Sequence, residues 1–215
     1  MDLLKEYIND GSGFRQIDPL SINPDSLTDF SIYEKQRISK GKYRFRCLLV
    51  DPGSIEKGRL IELLRSWGQI YIHEKQAENY HEYIKTNLAY ILDHEDIDIS
   101  KKTDTLIDIS TEVVTQYYKA NFSDTTAAKE ALEKVEQLIS RAFSFISDIN
   151  SLNGIAKLVG HDYDTHTHSI KVGWLMATFI NFNKDLFRDE CSQGLKEYLV
   201  QAAVAGFLHD IGKIK

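Results

Sequence analysis

From Thr103 to the end of the chain there is no proline, and apolar residues recur at spacings of three and four almost throughout. A stretch so free of breakers, with that period, suits α-helix and leaves no footing for further sheet. Helices are expected at about 103–119, 125–147, 150–160, 164–183 and 193–212, with Asp124 as the N-cap of the second. That second helix carries Ala131, Val135, Leu138 and Phe145 among its apolar positions and is the one expected to connect two units or to pair with its symmetry mate in a homodimer.

The first hundred residues read differently. FSIYEK and YRFRCLL, between Phe30 and Leu49, are rich in aromatic and β-branched residues and flank the polar connection RISKGK, which suits a hairpin. They are the strongest strand signal in the chain. EKGRLIELLRSWG then places Leu60, Ile61, Leu63 and Leu64 on a helical stripe, and QIYIH adds a short strand. AENYHEYIKTNLAYIL reads as one amphipathic helix through Tyr80, Ile84, Leu88 and Ile91. The expected organisation is therefore a small α+β unit at 1–100, connecting helices at 101–149 and an all-α region at 150–215.

With 215 residues, 42% hydrophobic and 27% charged, the chain has the composition of a globular protein with enough apolar surface for two compact units. No apolar run reaches the length of a membrane span, and MDLLKEYINDGSG lacks the basic start and apolar centre of a secretory signal, so the expected location is the cytoplasm. A net charge of −6 without a dense Lys/Arg block argues against nucleic-acid polymers and anionic membranes as partners. Cys47 and Cys191 stand far apart, in no metal-binding spacing, and are expected to be buried apolar residues. Tyr71, Tyr80, Tyr83 and Tyr90 read as core packing ahead of the alternative, the lining of a ligand pocket in a sensory domain, and no ligand is assigned to the N-terminal unit.

Four of the seven histidines fall in HDYDTHTHSIKVG and FLHDIGKIK. The adjacent pair His209-Asp210 offers imidazole and carboxylate donors together, a set suited to divalent iron, manganese or zinc. The pair sits near the end of an apolar helix whose Ala202, Ala203, Ala205 and Gly206 would let a neighbouring helix approach closely, placing ligands inside a bundle. His168 lies 41 positions earlier (209 − 168), room for an antiparallel return. Asp164 precedes His168 by four and would share its helical face, although an acidic residue there also serves as a cap. Lys213, three residues after Asp210, suits either the negative end of a helix or a phosphate oxygen gaining charge.

At these residues the chain resembles the HD superfamily of metal-dependent phosphohydrolases, and within it the HD-GYP branch of cyclic di-GMP phosphodiesterases. His168-Ser169-Ile170-Lys171-Val172 is similar to that branch's H-S-x-R/K-V motif, and Leu208-His209-Asp210-Ile211-Gly212-Lys213-Ile214 to its L-H-D-I-G-K-I motif. The resemblance covers about residues 150–215 and implies the first part of an HD-type helical bundle; more loosely, the unit at 1–100 resembles the variable accessory or sensory domains that precede it. It implies that His168, His209 and Asp210 bind metal, that Asp164 adds a ligand where an extra ion is held, and that Lys213 contacts the substrate phosphate. Two or three divalent ions, iron or manganese ahead of zinc, and a cyclic dinucleotide substrate follow from it.

The branch's later histidines, late aspartate and G-Y-P signature lie downstream of the second motif, and the chain stops at Lys215. The expectation is thus a bacterial-type signalling phosphodiesterase of which this chain is an incomplete portion, inactive by itself. Two alternatives stay open: an HD-superfamily phosphohydrolase of another nucleotide or phosphate ester, and a regulatory or dimerisation module without catalysis.

Overall fold

A computed structural model of the chain describes residues 6–26, 28–49, 57–66, 68–119, 125–148, 165–187 and 194–210. Its contacts divide it into two units, Met1–Asp96 and Ile97–Lys215.

The first unit is built on a five-stranded antiparallel sheet with strand order β1-β4-β3-β5-β2, formed by β1 (Glu6–Asn9), β2 (Phe14–Ile17), β3 (Ile32–Ser39), β4 (Lys42–Leu49) and β5 (Ile70–His73). The hairpin read from the sequence is β3–β4, but its connection is shorter than RISKGK. The strands run to Ser39 and resume at Lys42, leaving a turn of Lys40 and Gly41 that places Gly41 at φ +70°, a backbone conformation glycine adopts without a Cβ penalty. β1 and β2 are additions to the expected fold.

Alternation gives this sheet two different faces. Ile17, Ile32, Ile70 and Ile72 are buried on one. Tyr7, Phe14, Tyr33, Phe45 and Tyr71 cluster on the other, with Tyr43 and Cys47 packed against them. Although β1 and β2 are opposite edges of the sheet, the rings of Tyr7 and Phe14 lie 5.4 Å apart, and Phe14 stacks on Phe45 of β4 at 3.8 Å. The sheet therefore curls until side chains from its two edges meet over an aromatic interior. Cys47 is half-buried at this cluster, not fully enclosed as expected; Cys191 lies outside the described residues.

Helix α1 (Lys57–Ser66) precedes β5, and α2 (Ala77–Thr86) and α3 (Leu88–Asp93) follow it. The single helix expected over 77–92 is broken at Asn87. Its buried side chain donates to the Tyr83 carbonyl at 3.0 Å and to Ser26 Oγ at 3.2 Å, and accepts from Asn23 Nδ2 at 2.8 Å. Tyr83 joins the same network, accepting from the Asn23 amide at 2.9 Å. These bonds reach a segment some sixty residues earlier, which local periodicity cannot register.

In the second unit every described element is helical: α4 (Ile99–Lys119), α5 (Thr125–Ile146), α6 (Thr165–Phe182) and α7 (Leu195–Leu208). The helix expected at about 150–160 lies outside the described residues. α4 and α5 are amphipathic, burying Leu106, Ile109 and Val114 on one and Leu138, Ile139 and Ile146 on the other. α6 and α7 are apolar on more than one side, as helices packed by several neighbours must be. Trp174 of α6 is fully buried and donates through its indole N–H to Ser110 Oγ of α4 at 2.9 Å, so its polar edge is satisfied inside the core. No helix among the described residues is long and apolar enough to cross a membrane.

Candidate metal centre

The centre is set by the crossing of α6 and α7. Gly173 and Gly206 face one another there: a Cβ on Gly206 would lie 2.7 Å from the Gly173 amide nitrogen, and one on Gly173 would lie 2.7 Å from the Ala203 carbonyl oxygen and overlap the Phe207 ring. Only two glycines permit backbones this close. Of the small residues read from the sequence, Ala202, Ala203 and Gly206 are buried, whereas Ala205 is exposed and takes no part in the approach.

His168 lies five positions before Gly173, and His209 three after Gly206, so an antiparallel crossing brings both to the same end. His168 is in the opening turn of α6, while His209 and Asp210 occupy the turn after α7. One ligand atom from each of the three lies within 4.8 Å of the others. The imidazole centroids are 5.5 Å apart, and His209 Nε2 is 3.5 Å from Asp210 Oδ2. His168 is half-buried, His209 exposed and Asp210 buried.

A second contact orients the set. His209 Nδ1 lies 2.7 Å from the carbonyl oxygen of Gly206. A carbonyl can only accept, so Nδ1 carries the hydrogen and the neutral ring turns the lone pair of Nε2 toward the Asp210 carboxylate. Lone pair facing carboxylate is repulsive unless a proton or a metal cation stands between them. A backbone carbonyl on the far nitrogen is the usual way a metal-binding imidazole is fixed.

The donors fit a divalent ion. Bonds of about 2.0–2.2 Å place two ligand atoms on opposite sides of one ion about 4 Å apart, and adjacent ones closer. The 3.5 Å between His209 and Asp210 suits adjacent positions, and the 4.8 Å limit for all three calls for a closure of less than about 1 Å. Two imidazoles and a carboxylate suit iron, manganese or zinc.

Lys171, in the first motif, is buried on α6. Burial pushes its pKa down, and the charge of Asp104 on α4 opposes that shift. Asp164 and Lys213 lie outside the described residues. Sequence reading missed Gly173 and the Gly206 carbonyl. Gly173 had a signal, an isolated glycine inside an apolar helical run; the carbonyl had none, since every residue has one.

No protein-family model matches the chain, and no curated protein matches its sequence. Among solved structures it is similar to Bd1817, an HDG"Y"P protein from Bdellovibrio bacteriovorus, at 13% identity and a TM-score of 0.47, over 93% of this chain and 60% of that one. The chain thus spans less than two thirds of that structure, and a likeness at this level assigns neither family nor activity.

Proposed function

We propose that the chain belongs to a metal-dependent phosphohydrolase of the HD type and that its substrate is cyclic di-GMP. The observation that carries the metal reading is the convergence of His168, His209 and Asp210 at one end of the α6–α7 pair, with His209 Nε2 directed at Asp210 by the Gly206 carbonyl. A divalent ion held there supplies Lewis-acid charge against a phosphate oxygen and lowers the pKa of water. The protein's part is to bring the donors together and orient them. His209 is fixed by its Nδ1–H, and Asp210 brings negative charge to a buried position where a cation repays its desolvation. The substrate class rests on the resemblance of 168–172 and 208–214 to the HD-GYP motifs, which also assigns phosphate contact to Lys213 and a further ligand role to Asp164.

The test is anaerobic titration of the purified chain with Fe²⁺ and Mn²⁺, alongside His209→Ala and Asp210→Ala. Saturable binding that weakens at least about tenfold in each variant is expected, since ligand loss costs at least what loss of a supporting contact does. Equal binding by all three proteins would end the metal reading. For the substrate, this chain and a form that also carries the downstream HD-GYP motifs are loaded with metal and assayed on cyclic di-GMP and on simple phosphate monoesters; the extended form is expected to turn over cyclic di-GMP. Turnover of the monoesters alone would move the assignment to another phosphohydrolase.

A further inference from the structure

Within the Met1–Asp96 unit there is a cavity of about 290 Å³, whose lining includes no residue of the proposed metal centre. Pro19, Leu20, Ile22, Ile61 and Leu64 form its apolar wall. Asp25, Arg65, Tyr90 and His94 also line it, so the polar groups comprise one carboxylate, one guanidinium, a phenol and an imidazole. The volume lies at the small end of the range for ligand pockets, which fits a compact metabolite and not a dinucleotide.

The polar groups are arranged around Tyr90. Its hydroxyl feels both the negative charge of Asp25 and the positive charge of Arg65, and its ring packs edge-on against His94 with centroids 5.4 Å apart. Burial holds the Tyr90 phenol in its protonated form above its ordinary range, so it is a donor at neutral pH. His94 Nδ1 accepts from the Asp96 amide at 3.2 Å. In the neutral ring the hydrogen then sits on Nε2, making the imidazole a further donor. Guanidinium, phenol and imidazole N–H together suit a carboxylate, for which arginine supplies two parallel bonds. Asp25 is the complementary group for an ammonium, and the apolar wall accepts a hydrocarbon side chain.

We infer that this cavity binds a free α-amino acid with an apolar side chain, its carboxylate on Arg65, its ammonium on Asp25 and its side chain against Leu20, Ile22 and Ile61. A site of this composition makes the N-terminal unit a sensor of a small zwitterion. It requires both charges of the ligand and both charged residues of the protein.

The experiment is calorimetric titration of the full chain with L-leucine and L-phenylalanine, alongside isocaproate, which lacks the ammonium, and isoamylamine, which lacks the carboxylate. At least one of the two amino acids should bind saturably, with millimolar affinity or better, and isocaproate and isoamylamine at least about tenfold more weakly. Arg65→Ala and Asp25→Asn alter exposed residues, so both variants should keep the parent's thermal midpoint while losing about tenfold or more in amino-acid affinity. The inference is overturned if neither amino acid binds up to about 10 mM. Isocaproate or isoamylamine binding as well as the amino acid, or both variants binding it like the parent, would overturn it too.

Discussion

Gly173 of α6 and Gly206 of α7 meet backbone to backbone, and a methyl group on either would have to displace main-chain atoms of the other helix or the ring of Phe207. Because His168 and His209 sit just beyond this crossing, the same contact that packs the helices sets the spacing of the imidazoles. Gly206→Ala should therefore destabilise the chain by about 1–3 kcal/mol or more, the cost of overpacking a closed interface. It should also weaken Mn²⁺ binding, although it removes no ligand. Thermal unfolding and metal titration of one variant check both effects, and unchanged values in both would show that the crossing is looser than described.

Asn87 holds the break between α2 and α3 by bonding to Asn23, Ser26 and the Tyr83 carbonyl. Replacing it with alanine leaves the Asn23 side chain without this acceptor, in a region where Asn87 itself is only 6% exposed. The expected loss is about 1–3 kcal/mol. A denaturant midpoint within error of the parent's would mean that the break is set by the chain around it and not by this side chain.

The helical half of the fold could be read from the sequence because its signal is local. A buried stripe such as Val135, Leu138, Ala142 and Phe145 repeats within the helix that it specifies. β1 and β2 could not be read in the same way. EYIN and FRQI are four residues each, too short to show a period, and their positions depend on Tyr7 and Phe14 meeting Tyr33 and Phe45 across the curled sheet. The break at Asn87 was hidden for the opposite reason. Tyr80, Ile84, Leu88 and Ile91 keep helical spacing straight through it, so the apolar pattern continues where the hydrogen bonding does not. At the candidate centre, His168, His209 and Asp210 were visible because their residue types and spacing carry chemistry. The orientation of His209 came from a backbone carbonyl, which no side-chain pattern encodes.

Ser169 follows His168 and is 1% exposed, yet its hydroxyl has no hydrogen-bond partner among the described residues. A buried hydroxyl in that state forfeits its bonds to water without replacement. Ser169→Ala should leave stability unchanged or raise it by up to about 1 kcal/mol, while Mn²⁺ affinity stays at the parent value. A clear fall in the thermal midpoint would reveal that the hydroxyl does hold a partner.

Two tyrosines of the N-terminal unit give it an alkaline limit. Burial pushes Tyr33 from 10.0 up to about 12, against the weaker opposing effect of Ser31, and burial likewise pushes Tyr83 up to about 12 against its bonds to Asn23 and Ser26. In the unfolded chain both ionise near the ordinary value, so between about pH 10 and 12 the folded state binds more protons than the unfolded one. Stability from these phenols is therefore complete below about pH 10 and is lost as the pH rises toward 12. Tyrosinate absorbance should show a late fraction of the eleven tyrosines ionising together with the loss of tertiary structure. Tyr83→Phe should be less stable at neutral pH, having lost its bond to the Asn23 amide, but should lose less of its remaining stability across this interval. If instead all tyrosines ionise near pH 10 while the fold persists, the aromatic interior is open to water, and the curled sheet does not enclose it as described.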